Sequence, residues 1–220
     1  MIRRIGVVIP ARDEGDSVQE CLDSIVVARA EMELPVDVFV VADSCSDATA
    51  DLARRYDGVT VLEIIASNVG TARAVGARAA IAAGADWLSF TDADSIVPPH
   101  WLTTHQWFAD LGYDTLIGTV QPDNRQLSTD QLARWRMTHS RGQATGHVHG
   151  ANLGVRAAPY LAAGGFDDLP EHEDVDLVDR MSAWRTVATA SCEVITSARA
   201  VGRTPGGYAG YLRENGLAAG

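Results

Sequence analysis

The sequence predicts one α/β domain with a mostly parallel central sheet flanked by helices. Three observations carry this. Short β-branched apolar runs recur through residues 1–95. Segments with helical apolar spacing separate them, the alternation that builds a parallel sheet through crossover connections. The runs are apolar at successive positions, as strands covered by helices on both faces must be.

The elements follow in order. IGVVIPA (5–11) is a buried strand that Pro10 brings to an end. Residues 16–31 place Val18, Cys21, Leu22, Ile25 and Val26 at helical spacing. VDVFVVAD (36–43) is a second strand, and SDATADLARRY (46–56) a helix with a Ser/Asp start signal. VTVLEII (59–65) is a third strand. The alanine-rich segment 68–84 is a helix that stops near Gly84. Residues 86–94, DWLSFTDAD, form a fourth strand that runs into two carboxylates. The second half is less regular. Helices are expected over 101–114, 128–143 and 173–185, and a strand over 115–122. A short strand and a helix closed by Gly164-Gly165 fill 147–168, and one or two short strands fill 186–198. The segment 199–215 is basic and glycine-rich and reads as a flexible tail or lid. No repeat or long linker divides the chain, so residues 1–220 form a single domain.

Composition narrows the function. The chain has 220 residues, 46% hydrophobic and 21% charged, an ordinary globular balance. Its net charge is −11, from 18 basic and 29 acidic side chains. Such a chain lacks the basic clusters that non-specific nucleic-acid binding requires. Its three cysteines, Cys21, Cys45 and Cys192, are far apart and show no metal-ligand spacing, which points to free thiols in a reducing compartment. The N-terminal apolar run is too short for a signal peptide, and none approaches the ~18 residues of a membrane span. The expected location is cytoplasmic, with peripheral membrane association left open.

Polar clusters fall just past the expected strands, where open α/β sheets bind ligands. Asp92 and Asp94 repel each other unless a cation lies between them, and carboxylates at strand ends commonly hold Mg²⁺ or Mn²⁺ with phosphate oxygens. A solvated Asp-rich turn is the competing explanation. Asp43, at another strand end, suits a base or ribose, while Ser46 or Asp47 suits a helix cap. Gly70 permits close approach, and Arg73 lies in a first helical turn that disfavours cations, which hints at an anionic partner. Glu173 and Asp174 open a helix, where acids are favoured in any case. Arg203, among glycines, could carry a cation to phosphates.

In this order VVIPARDE, VVADSCSDAT, NVGTARAVG, FTDADS, GANLGVRAAPYLAAGGFDD and EDVDL resemble the family 2 glycosyltransferases of the GT-A, Rossmann-like fold, from residue 7 to about 177. The resemblance implies a hexosyltransferase-like enzyme with a UDP-, GDP- or dTDP-linked sugar donor and a small-molecule or lipid-linked acceptor. It implies a nucleotide-binding half (1–95) and an acceptor-binding half (96–220). Donor contacts are expected from Pro10, Ala11, Arg12, Glu14, Asp43, Asn68, Gly70, Arg73, Asp92, Ala93 and Arg203. Asp94 and Asp92 are the DXD-type ligands of Mn²⁺ or Mg²⁺, Asp174 the general base beside Glu173, and Gly150, Ala151 and Asn152 shape the acceptor and sugar pocket. The chain departs from the family in three places. Ala42-Asp43 stands where relatives often carry two Asp residues, no histidine follows His172, and no membrane span precedes Gly220. The last argues against a processive polysaccharide synthase. Two rivals remain open: a sugar nucleotidyltransferase, which the glycine-poor IPARDEGDS loop fits badly, and a non-catalytic nucleotide-sugar binder.

Overall fold

The computed structural model describes residues 1–138, 147–202 and 207–217. The chain runs β1 (Ile5–Ala11), α1 (Val18–Ala30), β2 (Val36–Asp43), α2 (Thr49–Ala53), β3 (Val59–Ile64), α3 (Val69–Ala82), β4 (Trp87–Phe90) and β5 (Ser95–Ile96). It continues α4 (Trp101–Asp110), β6 (Thr115–Pro122), α5 (Thr129–Thr138), β7 (Leu153–Arg156), α6 (Ala157–Ala162), α7 (Glu173–Arg180), β8 (Thr186–Thr196) and α8 (Tyr208–Glu214).

The strands form one sheet of order β3-β2-β1-β4-β7-β6-β8-β5. β3, β2, β1 and β4 are parallel. β7 runs antiparallel to both β4 and β6, and β8 returns parallel to β6. The two-fold side-chain period of β1 explains its unbroken hydrophobicity. Ile5, Val7, Ile9 and Ala11 pack with α1 and α4 on one face, while Val8 meets α3, Tyr160 and Leu177 on the other. Trp87 and Leu88 divide between the two faces in the same way.

Several elements differ from the sequence reading; the expected strand 86–94 ends at Phe90, and the two-residue β5 follows it. The expected helix 173–185 ends at Arg180, and residues 186–196 make one eleven-residue strand. Part of the expected flexible tail, Tyr208–Glu214, is helical. That helix buries Leu212 in a small satellite core with Trp135, Ala198 and Leu217. Among the described residues no helix is long and apolar enough to cross a membrane.

Candidate active site

Strand direction assembles the site. β1, β2, β3, β4, β6 and β8 all point the same way, so their carboxyl ends share one edge of the sheet. β7 runs the other way, so its amino end, preceded by a turn at Gly150–Asn152, reaches that same edge. A cavity of about 440 Å³ opens there. It is walled by Arg12 and Glu14 after β1, Asp43 ending β2, Asn68 after β3, Asp92 and Asp94 after β4, Gly150 before β7, Asp174 on α7 and Arg199 after β8.

Among the described residues, four non-glycine residues adopt left-handed backbone: Asp13 (φ 50), Ser44 (φ 55), Ser67 (φ 54) and His172 (φ 61). Each adjoins a cavity residue. Such strain, of order 1–3 kcal/mol each, persists only where surrounding bonds hold it. Asp13 Oδ1 accepts the Ser46 N–H at 2.7 Å, and Asp47 Oδ2 accepts the Gly15 N–H at 2.8 Å, so the loops after β1 and β2 are tied together. The Glu14 N–H reaches Thr49 Oγ1 at 2.8 Å. Asp43 accepts the N–H groups of Ala66, Ser67 and Asn68, each at 2.8 Å. Burial pushes its carboxyl upward, but those three backbone donors outweigh burial and hold it below the ordinary range. Asn68 caps α3 by accepting the Thr71 N–H at 2.9 Å.

Arg73 is the fifth residue of α3, one turn further in than the sequence reading put it, and it projects into an acidic clamp. Its guanidinium lies 2.5 Å from Asp92 Oδ1 and pairs closely with Glu173. Gly150 is required here, because a Cβ would lie 2.3 Å from Arg73 Nη2. The Gly150 N–H in turn donates to Asp174 Oδ2 at 2.6 Å. Glu173 is therefore engaged as a buried counter-ion at the cavity wall, and Asp174 is the more exposed member of the pair there.

Asp94 and Glu14 meet around Arg199, whose guanidinium lies 3.0 Å from Asp94 Oδ2 and forks onto Glu14 at 2.8 and 2.9 Å. Burial raises the Asp94 carboxyl to about 7; Arg199 opposes this, and the charges of Asp92 and Glu14 add to it. Among the described residues Asp92 and Glu173 share Arg73, and Glu14 and Asp94 share Arg199. Each guanidinium is thus divided between two carboxylates, an oxygen-rich set of the kind that suits a hard divalent cation. Among the described residues the set of three metal-capable side chains with ligand atoms within 4.8 Å of one another is Asp13, Cys45 and Asp47. The hydrogen bonds of Asp13 and Asp47 already serve the loop ties. Asp92 and Asp94 would thus need outside oxygens, such as a diphosphate, to complete a metal's coordination.

The structure brings Pro10, Ala11, Arg12, Glu14, Asp43, Asn68, Arg73, Asp92, Ala93, Asp94, Gly150, Ala151, Glu173 and Asp174 to this one cavity. It places two expected residues elsewhere. A Cβ at Gly70 would lie 2.2 Å from the Asp167 carbonyl oxygen, so the close approach there is to the chain's own 167–169 backbone. Asn152 is wholly buried, accepting the Trp101 indole N–H at 2.9 Å and donating to the carbonyls of Thr119 and Cys192 at 2.8 Å. It braces β6 and β8 behind the cavity wall. Arg203 lies outside the described residues. Sequence reasoning missed Arg199 and the wall formed by Tyr208 and Tyr211. The signal for Arg199 was its place, three residues past the end of β8.

Residues 6–160 match the model of the family described as Glycosyl transferase family 2. The chain belongs to that family. One relative, an undecaprenyl-phosphate 4-deoxy-4-formamido-L-arabinose transferase of Serratia proteamaculans, is 31% identical over 135 residues, covering 58% of this chain and 39% of its own. A 4,4'-diaponeurosporenoate glycosyltransferase of Staphylococcus aureus is 36% identical over 63 residues, covering 29% of this chain and 16% of its own. Both are glycosyltransferases by name, the class the sequence motifs pointed to. This chain spans about two fifths of the first relative. Among solved structures, S. aureus TarS 1–349 in complex with UDP-GlcNAc aligns with TM-score 0.72 at 16% identity, over 93% of this chain and 61% of that one. The Pyrobaculum calidifontis mannosyltransferase PcManGT with GDP-Man and Mn²⁺ aligns with TM-score 0.70 at 19% identity, over 92% of this chain and 59% of that one. The fold of this family 2 chain is GT-A.

Proposed function

We propose that this family 2 chain transfers a sugar from a nucleoside diphosphate sugar to an acceptor hydroxyl, inverting the anomeric carbon, with Asp174 as general base. The observation that carries this reading is the pairing of roles at α7. Glu173 is locked onto Arg73, while Asp174, oriented by the Gly150 N–H, lines the same cavity as Asp92 and Asp94. Asp174 takes the acceptor hydroxyl proton as the oxygen attacks the anomeric carbon. The bond from that carbon to the diphosphate oxygen breaks, and the nucleoside diphosphate leaves with the bonding pair. Asp94 and Asp92 would hold Mn²⁺ or Mg²⁺, which neutralises charge on the departing diphosphate when bound. The loops after β1, β2 and β3 offer Arg12, Asp43 and Asn68 to the nucleoside.

The donors in complex with TarS and PcManGT support a UDP- or GDP-linked sugar, with a dTDP-linked sugar of the same chemistry, and the Mn²⁺ with PcManGT supports a divalent ion. The relatives' names support a lipid-linked acceptor beside a small-molecule one. Partly exposed Val175 and Tyr211 on the cavity wall would accommodate an apolar carrier, which supports work at a membrane surface.

Asp174→Asn tests the reading. Transfer should fall about 10²–10⁴-fold with donor Kd unchanged, because a base acts in the transition state. A phosphate acceptor, whose second pKa is about 6, needs no base near neutrality. Retained activity in Asp174→Asn would therefore remove the hydroxyl-and-base assignment.

A further inference from the structure

The carboxylates assigned to the cation already share a cation of the chain's own. Arg199 Nη1 donates to Glu14 Oε2 at 2.9 Å, and Nη2 donates to Glu14 Oε1 at 2.8 Å. The same Nη2 lies 3.0 Å from Asp94 Oδ2. Glu14 and Asp94 side chains are 8% and 13% exposed, and they come from different strand ends. One guanidinium is thus shared by two mostly buried carboxylates, an arrangement that is costly to break from one side.

The backbone carrying Arg199 is fixed while its side chain can move. The Ser197 N–H donates to the Asp94 carbonyl at 3.2 Å, and the Thr196 hydroxyl donates to Asp94 Oδ1 at 3.4 Å. The Ala198 N–H is held by Gln126 Oε1 at 2.8 Å. The Arg199 side chain is 30% exposed and lines the cavity. Swinging about its own side-chain torsions, it can leave Asp94 without moving β8.

We propose that Arg199 is the resident counter-ion of the metal site, occupying the Asp94 carboxylate that would hold a divalent ion. This inference rests on the sugar-transfer reading above. A divalent ion and a guanidinium on the same carboxylate would be like charges in near contact. Binding of the ion would therefore release the guanidinium from Asp94. Alone, the ion gains one carboxylate contact and costs another. With a diphosphate present, the displaced fork gains phosphate oxygens, to which its geometry is suited. Metal and donor then bind cooperatively, each weakly without the other, and Arg199 is the residue through which they are coupled.

Mn²⁺ binding, read from loss of the free-ion paramagnetic resonance signal, tests this on the full chain with and without UDP or GDP. In the wild type, Mn²⁺ alone should bind weakly and nucleoside diphosphate should tighten it. Arg199→Met should bind Mn²⁺ alone about tenfold more tightly, because the competitor is gone, and the tightening by nucleotide should shrink by a similar factor. Arg199→Lys keeps the charge but cannot bridge two carboxylates, so it should fall between, and it reports the same trend if the Met variant fails to fold. Equal or weaker Mn²⁺ binding in both variants, with nucleotide coupling intact, overturns the counter-ion role alone. Absence of Mn²⁺ binding in every form, even with nucleotide, overturns the metal assignment and this inference with it.

Discussion

Arg73 is 4% exposed and spends its charge on Asp92 and Glu173, so its value lies in holding two segments far apart in sequence. Arg73→Met would strand Glu173 as a buried carboxylate and leave the more exposed Asp92 to solvent. We expect it to cost about 3–5 kcal/mol by urea unfolding, because the orphaned buried charge of Glu173 is not repaid. A wild-type midpoint would show that the clamp is not structural. The sequence reads Arg73 as a cation in a first helical turn and so points to an anionic partner, although α3 begins at Val69 and carries it one turn in. That partner includes the chain's own acids, which linear spacing cannot reveal. Asn152 teaches the opposite lesson. Its motif marks it for the pocket, yet its amide is spent on Trp101, Thr119 and Cys192 inside the core. Arg199 escaped notice because a lone arginine after a strand has no pattern of its own.

The parallel half of the sheet was legible element by element, since β1, β2 and β4 are buried on both faces and read as continuous apolar runs. The two-residue β5 and four-residue β7 are too short to show a period, and their pairing depends on partners distant in sequence. α8 was hidden by glycines and charges, although Leu212 and its neighbours give it a buried side. Two predictions belong to single elements. On α3, Gly70→Ala would push against the Asp167 carbonyl oxygen, so we expect roughly 1–3 kcal/mol of destabilisation and weaker donor binding as the 167–174 segment shifts. Unchanged stability would mean that the segment moves freely. On α4, burial pushes His105 down to about 3, with Ser89 Oγ 2.9 Å from its Nδ1. Its unfolded value is about 6.5, so the unfolded chain binds the proton first as pH falls. The neutral ring's contribution is complete above about 6.5 and is lost as pH falls toward 3, at up to roughly 1.4 kcal/mol per pH unit. His105→Gln should flatten the pH dependence of unfolding in that window; an unchanged slope would place the titration elsewhere.

At the scale of the whole molecule, the topology does what no single motif does. Reversal of β7 against a sheet whose other site-bearing strands run one way brings its leading turn, with Gly150, to the edge where Asp43, Asp92 and Asp94 already lie. That turn orients Asp174 and spaces Arg73, so segments from both halves of the chain close around one cavity. The chain's net charge of −11 makes the excess of carboxylates there unwelcoming to a free diphosphate unless a cation accompanies it. The most direct test is the melting temperature of the wild-type chain with UDP-GlcNAc, GDP-mannose and a dTDP-sugar, each with and without Mn²⁺. A ligand that binds only the folded state raises the melting temperature. We expect one nucleotide sugar to raise it, and to do so only when Mn²⁺ is present. No rise with any donor, with or without the ion, would contradict a nucleotide-sugar site at this edge of the sheet.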